Sequence, residues 1–131
     1  MYRDIVIEHF MHPRNVGVMD DPDAYGRAES AVCGDMMEIY LKITGERIDD
    51  VKFRTFGCAA AIASSSFASE IIKGQSIARA TEITDEQIGE QLGLPDVKQH
   101  CSLLAVSALH AALEDYYQRH PEARPAQPAA T

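Results

Sequence analysis

Hydrophobic and polar positions alternate from Met37 to Ile43. Met37, Ile39, Leu41 and Ile43 point one way, and Glu38, Tyr40 and Lys42 the other. A period of two is that of a half-buried strand, because successive side chains leave a strand on opposite faces. The alternation returns from Val51 to Phe56, after Thr44-Gly45-Glu46-Arg47, a segment able to turn the chain. The two runs predict an antiparallel hairpin, and Arg27 to Val32 reads as a third strand. Helical spacing governs the rest. Tyr2, Ile5, Val6, His9 and Phe10 share a face of a helix over residues 2–12. Pro13 ends it, since the residue before a proline avoids helical backbone. Residues 59–73 form a helix of small residues, with Ala63, Phe67 and Ile71 four apart and Gly74 as its stop. Residues 84–92 form a short helix in which Thr84 and Gln87 fit a capping box. Leu103, Val106, Leu109, Leu113 and Tyr116 mark the apolar face of a longer last helix. A helix, then strands, then helices predict an α+β fold with helices over one face of a small antiparallel sheet.

Composition narrows the function. A length of 131 residues suits one domain, here 1–120, followed by a Pro/Ala-rich stretch 121–131 without apolar periodicity, expected to be a flexible tail. An apolar content of 46% with 24% charge is that of a globular protein able to bury a core without staples. The net charge of −8 argues against nucleic acid and fits docking onto a positively charged protein. Apolar runs are too short to cross a bilayer. The first twelve residues mix Arg3, Asp4, Glu8 and His9 among apolar ones, unlike a secretory signal, so a reducing cytoplasm is the expected compartment.

The candidate chemistry lies in three cysteines: Cys33 before Gly34-Asp35, Cys58 after Phe56-Gly57, and Cys101 after His100. Three thiols cannot all pair with one another, and each sits at the boundary of an expected element, where distant segments converge. No Cys-x-x-Cys pair is present, which excludes zinc-ribbon and ferredoxin spacing. Soft thiolates bind zinc, copper(I) or iron–sulfur clusters, and Asp35 and His100 offer harder, more exchangeable ligands. Cys58 also precedes a helix, whose dipole favours its thiolate. Against this stand simpler readings. A free cysteine is often a small buried hydrophobe, Asp35 fits a turn, and His100 fits a helix end. His9, His12, His110 and His120 read as structural. Ser64-Ser65-Ser66 reads as a small surface for close helix packing.

Taken together the motifs resemble the IscU-type iron–sulfur cluster scaffolds, a family that also forms the N-terminal domain of NifU. The resemblance runs from about Tyr2 to Tyr117. It rests on His12-Pro13-Arg14-Asn15-Val16-Gly17, on Cys33-Gly34-Asp35, on Phe53 to Cys58 followed by Ala61 to Ser66, and on Leu94 to Ser102. It implies a three-stranded antiparallel sheet covered by helices. It implies a binding and transfer protein rather than an enzyme, on which a [2Fe–2S] cluster is assembled and passed to apo-acceptors. Cys33, Cys58 and Cys101 would hold the cluster, Asp35 would set its lability, and His100 would be an alternative ligand. Fe2+ would supply the iron and Zn2+ would be an alternative occupant. Sulfur would arrive from a cysteine desulfurase of IscS type as a persulfide, with Cys101 as receiver. Lys98 matches a family lysine near the site. A single copy, or a homodimer bridging one cluster, would satisfy the ligand set.

The chain also departs from the pattern. Asp96 stands in place of the second proline of the motif on which a dedicated Hsp70-type chaperone docks, which argues against that partner. Ala59 replaces a common glycine after Cys58. The stretch between Cys58 and Cys101 lacks the insertion of the SufU relatives, which act as zinc-dependent sulfurtransferases, the alternative reading.

Overall fold

The computed structural model describes residues 3–31 and 34–123, and of Val97 the backbone only. Cys33 therefore lies outside the described residues, as do Tyr2, Val32 and the part of the expected tail from residue 124 on.

Three strands, β1 (Ala24–Glu29), β2 (Met36–Thr44) and β3 (Arg47–Phe56), form one antiparallel sheet in the order β1-β2-β3. The alternation of β2 acts as expected: Met37, Ile39 and Leu41 are fully buried. Gly45, at φ +62, opens the two-residue turn that joins β2 to β3. The third strand begins three residues earlier than the pattern of Arg27 to Val32 indicated. Its inward positions are Ala24, Gly26 and Ala28, too small to register as a hydrophobic run. Gly26 is small for a reason: a Cβ there would run into the Ala108 carbonyl and the Ala112 amide of the last helix.

Around the sheet run α1 (Asp4–Met11), α2 (Ala59–Ile72), α3 (Ile77–Thr81), α4 (Asp85–Leu92) and α5 (Gln99–Arg119). Helix α5 packs on β1 and β2, and α2 packs on β3 while also touching α1, α4 and α5. Ten of the 14 residues of α2 are buried, so this helix is enclosed on nearly every side, and eight of those ten are Ala or Ser, which lets its neighbours approach closely. Thr84 and Gln87 form the expected capping box of α4, and Gly93 closes it in the left-handed conformation.

The serines of α2 do more than make room. Ser65 accepts a hydrogen bond from Thr55 of β3 at 2.9 Å. Ser66 Oγ accepts the Arg14 N–H at 2.8 Å and meets His9 Nδ1 at 2.8 Å. Asn15 reaches Ser69 with its side chain, and its main chain pairs with Phe53 of β3. The His12 to Gly17 segment thus ties α1 to the central helix and closes part of the outer edge of β3. Gly74 and Gln75 pair with Ile48 and cover the other end of that edge. On β1, the Tyr25 N–H is taken by the Asp115 carboxylate of α5 at 3.0 Å. On the face away from the helices, Glu38 accepts from Tyr25 and Arg54, joining all three strands.

His9 is structural, as expected, and it makes the fold acid-sensitive. Burial, followed by the Arg14 guanidinium, lowers its pKa below the ordinary value of 6.5. The folded chain then holds the ring neutral where the unfolded chain protonates it. Stability should fall as the pH drops below about 6.5 and His9 is forced to charge. Thermal unfolding from pH 8 to pH 5 should show this slope, and His9→Gln should flatten it. An unchanged slope in the variant would assign the acid sensitivity elsewhere.

Candidate metal centre

Two helix starts and one strand start meet at one end of the sheet. Cys58 is the N-cap of α2, with extended backbone, and its side chain makes no capping hydrogen bond. Cys101 lies in the first turn of α5, after a short 3-10 turn over Asp96–Lys98. Asp35 immediately precedes β2, and its carbonyl accepts from the Ser30 N–H, while Gly34, at φ +74, donates to the Ser30 carbonyl. These bonds hold both ends of the 30–35 connection beside the site.

The Asp35 carboxylate and the Cys58 and Cys101 sulfurs lie within 4.8 Å of one another. The two sulfurs are 3.6 Å apart. A disulfide needs about 2.05 Å. Two thiolates on one tetrahedral ion with metal–sulfur bonds of about 2.3 Å stand about 3.8 Å apart. The spacing is that of a thiol–thiol contact and is close enough for both sulfurs to share one metal. Asp35 is only 8% exposed, and its Oδ2 is buried without a hydrogen-bond partner. A carboxylate oxygen removed from water and left unpaired is costly unless a cation completes it. The donor set, two soft sulfurs and one hard oxygen, fits zinc or iron.

Cys101 is fully buried, whereas Cys58 is half-buried. Burial pushes the Cys101 thiol up to about 12, with the Cys58 thiol and then the Asp35 carboxylate adding to the shift and Lys98 opposing it. A metal ion must displace that proton, so its binding strengthens as pH rises. Lys98 Nζ approaches Cys58 Sγ at 3.8 Å, a contact that gives the lysine a position at the site which the sequence left without a role.

Of the five residues singled out from the sequence, the structure brings together Asp35, Cys58 and Cys101. His100 stands beside this trio rather than in it. It lines an adjoining cleft of about 210 Å³ with Glu29, Ser30 and Leu103. Phe56 is a further residue beside the site, and Leu103, expected on the apolar face of the last helix, is turned outward instead because it follows Cys101 on the side of α5 away from the sheet. Phe56 is 64% exposed two residues before Cys58, and Leu103 is 50% exposed two residues after Cys101. The signal for Phe56 was available, since alternation along β3 sets this aromatic on the side away from the core.

A small α+β domain with helices on an antiparallel sheet, and two thiols and a carboxylate gathered at the sheet's end, has the make-up of a metal-handling protein. The comparisons identify its family. Residues 1–123 match the family model of the NifU-like N-terminal domain, and the chain belongs to that family. The iron–sulfur cluster assembly scaffold protein IscU 1 of Archaeoglobus fulgidus is 51% identical over 121 residues, covering 92% of this chain and 79% of its own. The scaffold protein IscU of Azotobacter vinelandii is 48% identical over 119 residues, covering 88% and 93%. Among solved structures, a protein of Fervidobacterium islandicum assigned as an iron–sulfur cluster assembly scaffold for the SUF system superposes with a TM-score of 0.72 at 25% identity, over 86% of this chain and 96% of that one. The expected family and α+β fold are both borne out. Among the described residues, no helix is long and apolar enough to cross a membrane.

Proposed function

We propose that this chain is a scaffold on which a [2Fe–2S] cluster is built and from which it is handed to apo-proteins. The observation that carries this reading is the meeting of Cys58, Cys101 and the orphaned Asp35 carboxylate within 4.8 Å. Soft sulfurs hold the cargo, and one hard, exchangeable oxygen keeps it from being trapped. Cys33 supplies the third thiolate, and His100 is a ligand held in reserve in the cleft next door. Iron is taken as Fe2+, and Zn2+ occupies the same donors in the absence of iron. Whether one copy or a bridged pair holds the cluster is decided by the mass of the loaded species.

A cysteine desulfurase of IscS type supplies the sulfur, and Cys101 receives it as a persulfide. Because Cys101 is buried, this delivery requires the first turn of α5 to open, with the exposed Phe56 and Leu103 as the apolar collar on which a donor or acceptor seats. Activity lies in binding and transfer rather than in turnover, and the cytoplasm remains the proposed compartment.

The test is anaerobic reconstitution with Fe2+, cysteine, a cysteine desulfurase and a thiol reductant, which supplies the electrons that take persulfide sulfur to sulfide, followed by visible absorption and Mössbauer spectra. The expected product is a [2Fe–2S] centre that moves to an apo-ferredoxin. Persulfide formation on a chain that retains only zinc would favour the sulfurtransferase reading instead. Asp35→Ala should lengthen the life of the bound cluster severalfold, because its exchangeable ligand is gone. A transfer rate to apo-ferredoxin equal to that of the unaltered chain would remove Asp35 from this role.

A further inference from the structure

We propose that Gly57 is a positioning residue: the side chain it lacks is the space in which the Asp35 carboxylate reaches the thiols. The inference rests on the scaffold reading of the site and adds to it a residue that holds no ligand atom. A Cβ at Gly57 would stand 2.7 Å from Asp35 Cγ and 2.8 Å from its Oδ2, with Ala61 Cβ at 2.9 Å. Contacts under 3.0 Å do not persist between packed atoms, so one group must give way. Backbone conformation is not the reason for glycine here. Gly57 is absent from the glycines with positive φ, whereas Gly34 has one and has open space around its Cα. The two glycines that flank the site thus do different work. Gly34 turns the chain, and Gly57 leaves room.

The group that would yield is the carboxylate. Ala61 is fixed in α2, while Asp35 sits in a connection and swings about its own side-chain bonds. Swinging away would carry the one hard donor out of reach of Cys58 and Cys101. Its Oδ2 has no hydrogen-bond partner to resist the move. A methyl group at residue 57 would therefore act as if Asp35 had been deleted, although both cysteines and the aspartate remain.

Zinc titration of the full metal-free chain against a chromophoric chelator tests this. Gly57→Ala and Asp35→Ala should each weaken zinc binding by about tenfold. The double variant should show about the same tenfold loss, because removing the carboxylate removes the ligand and two of the three atoms that the methyl meets, leaving only the least close, Ala61 Cβ at 2.9 Å. Zinc binding by Gly57→Ala equal to that of the unaltered chain would overturn the proposal, as would a double variant weakened by the product of the two losses. If Gly57→Ala fails to fold, Asp35→Ala in the same chain should restore a cooperative thermal transition, and failure to restore it counts equally against the role. The scaffold reading fails separately: zinc binding by the unaltered chain that Cys58→Ala leaves unchanged would refute the site itself, whatever Gly57 does.

Discussion

Cys101→Ala is expected to abolish [2Fe–2S] formation, lowering cluster yield by more than the roughly hundredfold that loss of a supporting residue costs. Cys101 is the fully buried member of the pair, 3.6 Å from Cys58. Without it, one soft donor and one carboxylate are left among the described ligands, too few to replace the water around iron. The fold should survive. Alanine keeps the apolar character of the position and gives up only one sulfur's worth of packing, on the order of 1–2 kcal/mol. Visible absorption after reconstitution reads the first outcome, and thermal unfolding of the metal-free chain reads the second. A variant that forms the cluster in normal yield would show that Cys101 is a core residue and nothing more. A variant that no longer folds would make the cysteine structural.

Gly26→Ala should be the most damaging single methyl group in the molecule. Its Cβ would meet the main-chain atoms of Ala108 and Ala112 rather than flexible side chains, so neither partner can rotate away. Either β1 or α5 must shift as a body. The expected loss is about 3 kcal/mol or more, at the upper end for overpacked positions. For a chain of this size that corresponds to a fall in Tm on the order of 10 °C. Because α5 also carries Cys101, the variant should bind zinc more weakly even where it stays folded. Urea denaturation together with a zinc titration checks both. A loss below about 0.5 kcal/mol, the range of an ordinary surface substitution, would contradict the close approach of α5 to the sheet.

How far the sequence foretold this structure differs from one element to another. β2 was legible because Met37, Ile39 and Leu41 are buried and Ile43, at the bulge, is partly so. β3 was only half legible. A bulge between Lys42 and Ile43 pairs Ile43 with Ile48 and Lys42 with Asp50, so Ile48 and Val51 both face inward with two residues between them. That break in the period of two hid the strand's first four residues. β1 was misplaced for the opposite reason: it lies so close to α5 that its inward side chains are nearly absent. α3 was missed because five residues carry no periodicity, although Ser76, which caps it, was visible in the sequence.

The candidate centre was legible through its motifs and not through its spacing. Nothing local to Cys58 and Cys101 says that two helix starts far apart in the chain will face each other. That follows from how α2 and α5 pack beside one another on the sheet. The trio with Asp35 was within reach because each residue stood at an element boundary. His100 was grouped with them on the strength of its neighbour Cys101. One residue along a helix rotates the side chain by about 100°, enough to turn His100 into the adjoining cleft.

The margins of the sheet bear on solubility. A protein that presents an apolar collar to successive partners risks sticking to its own kind, and an unpaired strand edge would make that worse. Here the outer side of β3 is occupied at Phe53 by the Asn15–Gly17 turn and at Ile48 by Gly74 and Gln75. The opposite margin is a strand of six residues bearing Arg27 and Glu29, with one amide already taken by Asp115. Neither side offers a long, flat template for another chain. The molecule can display its sticky end at high concentration while its flanks stay closed to fibre-like stacking.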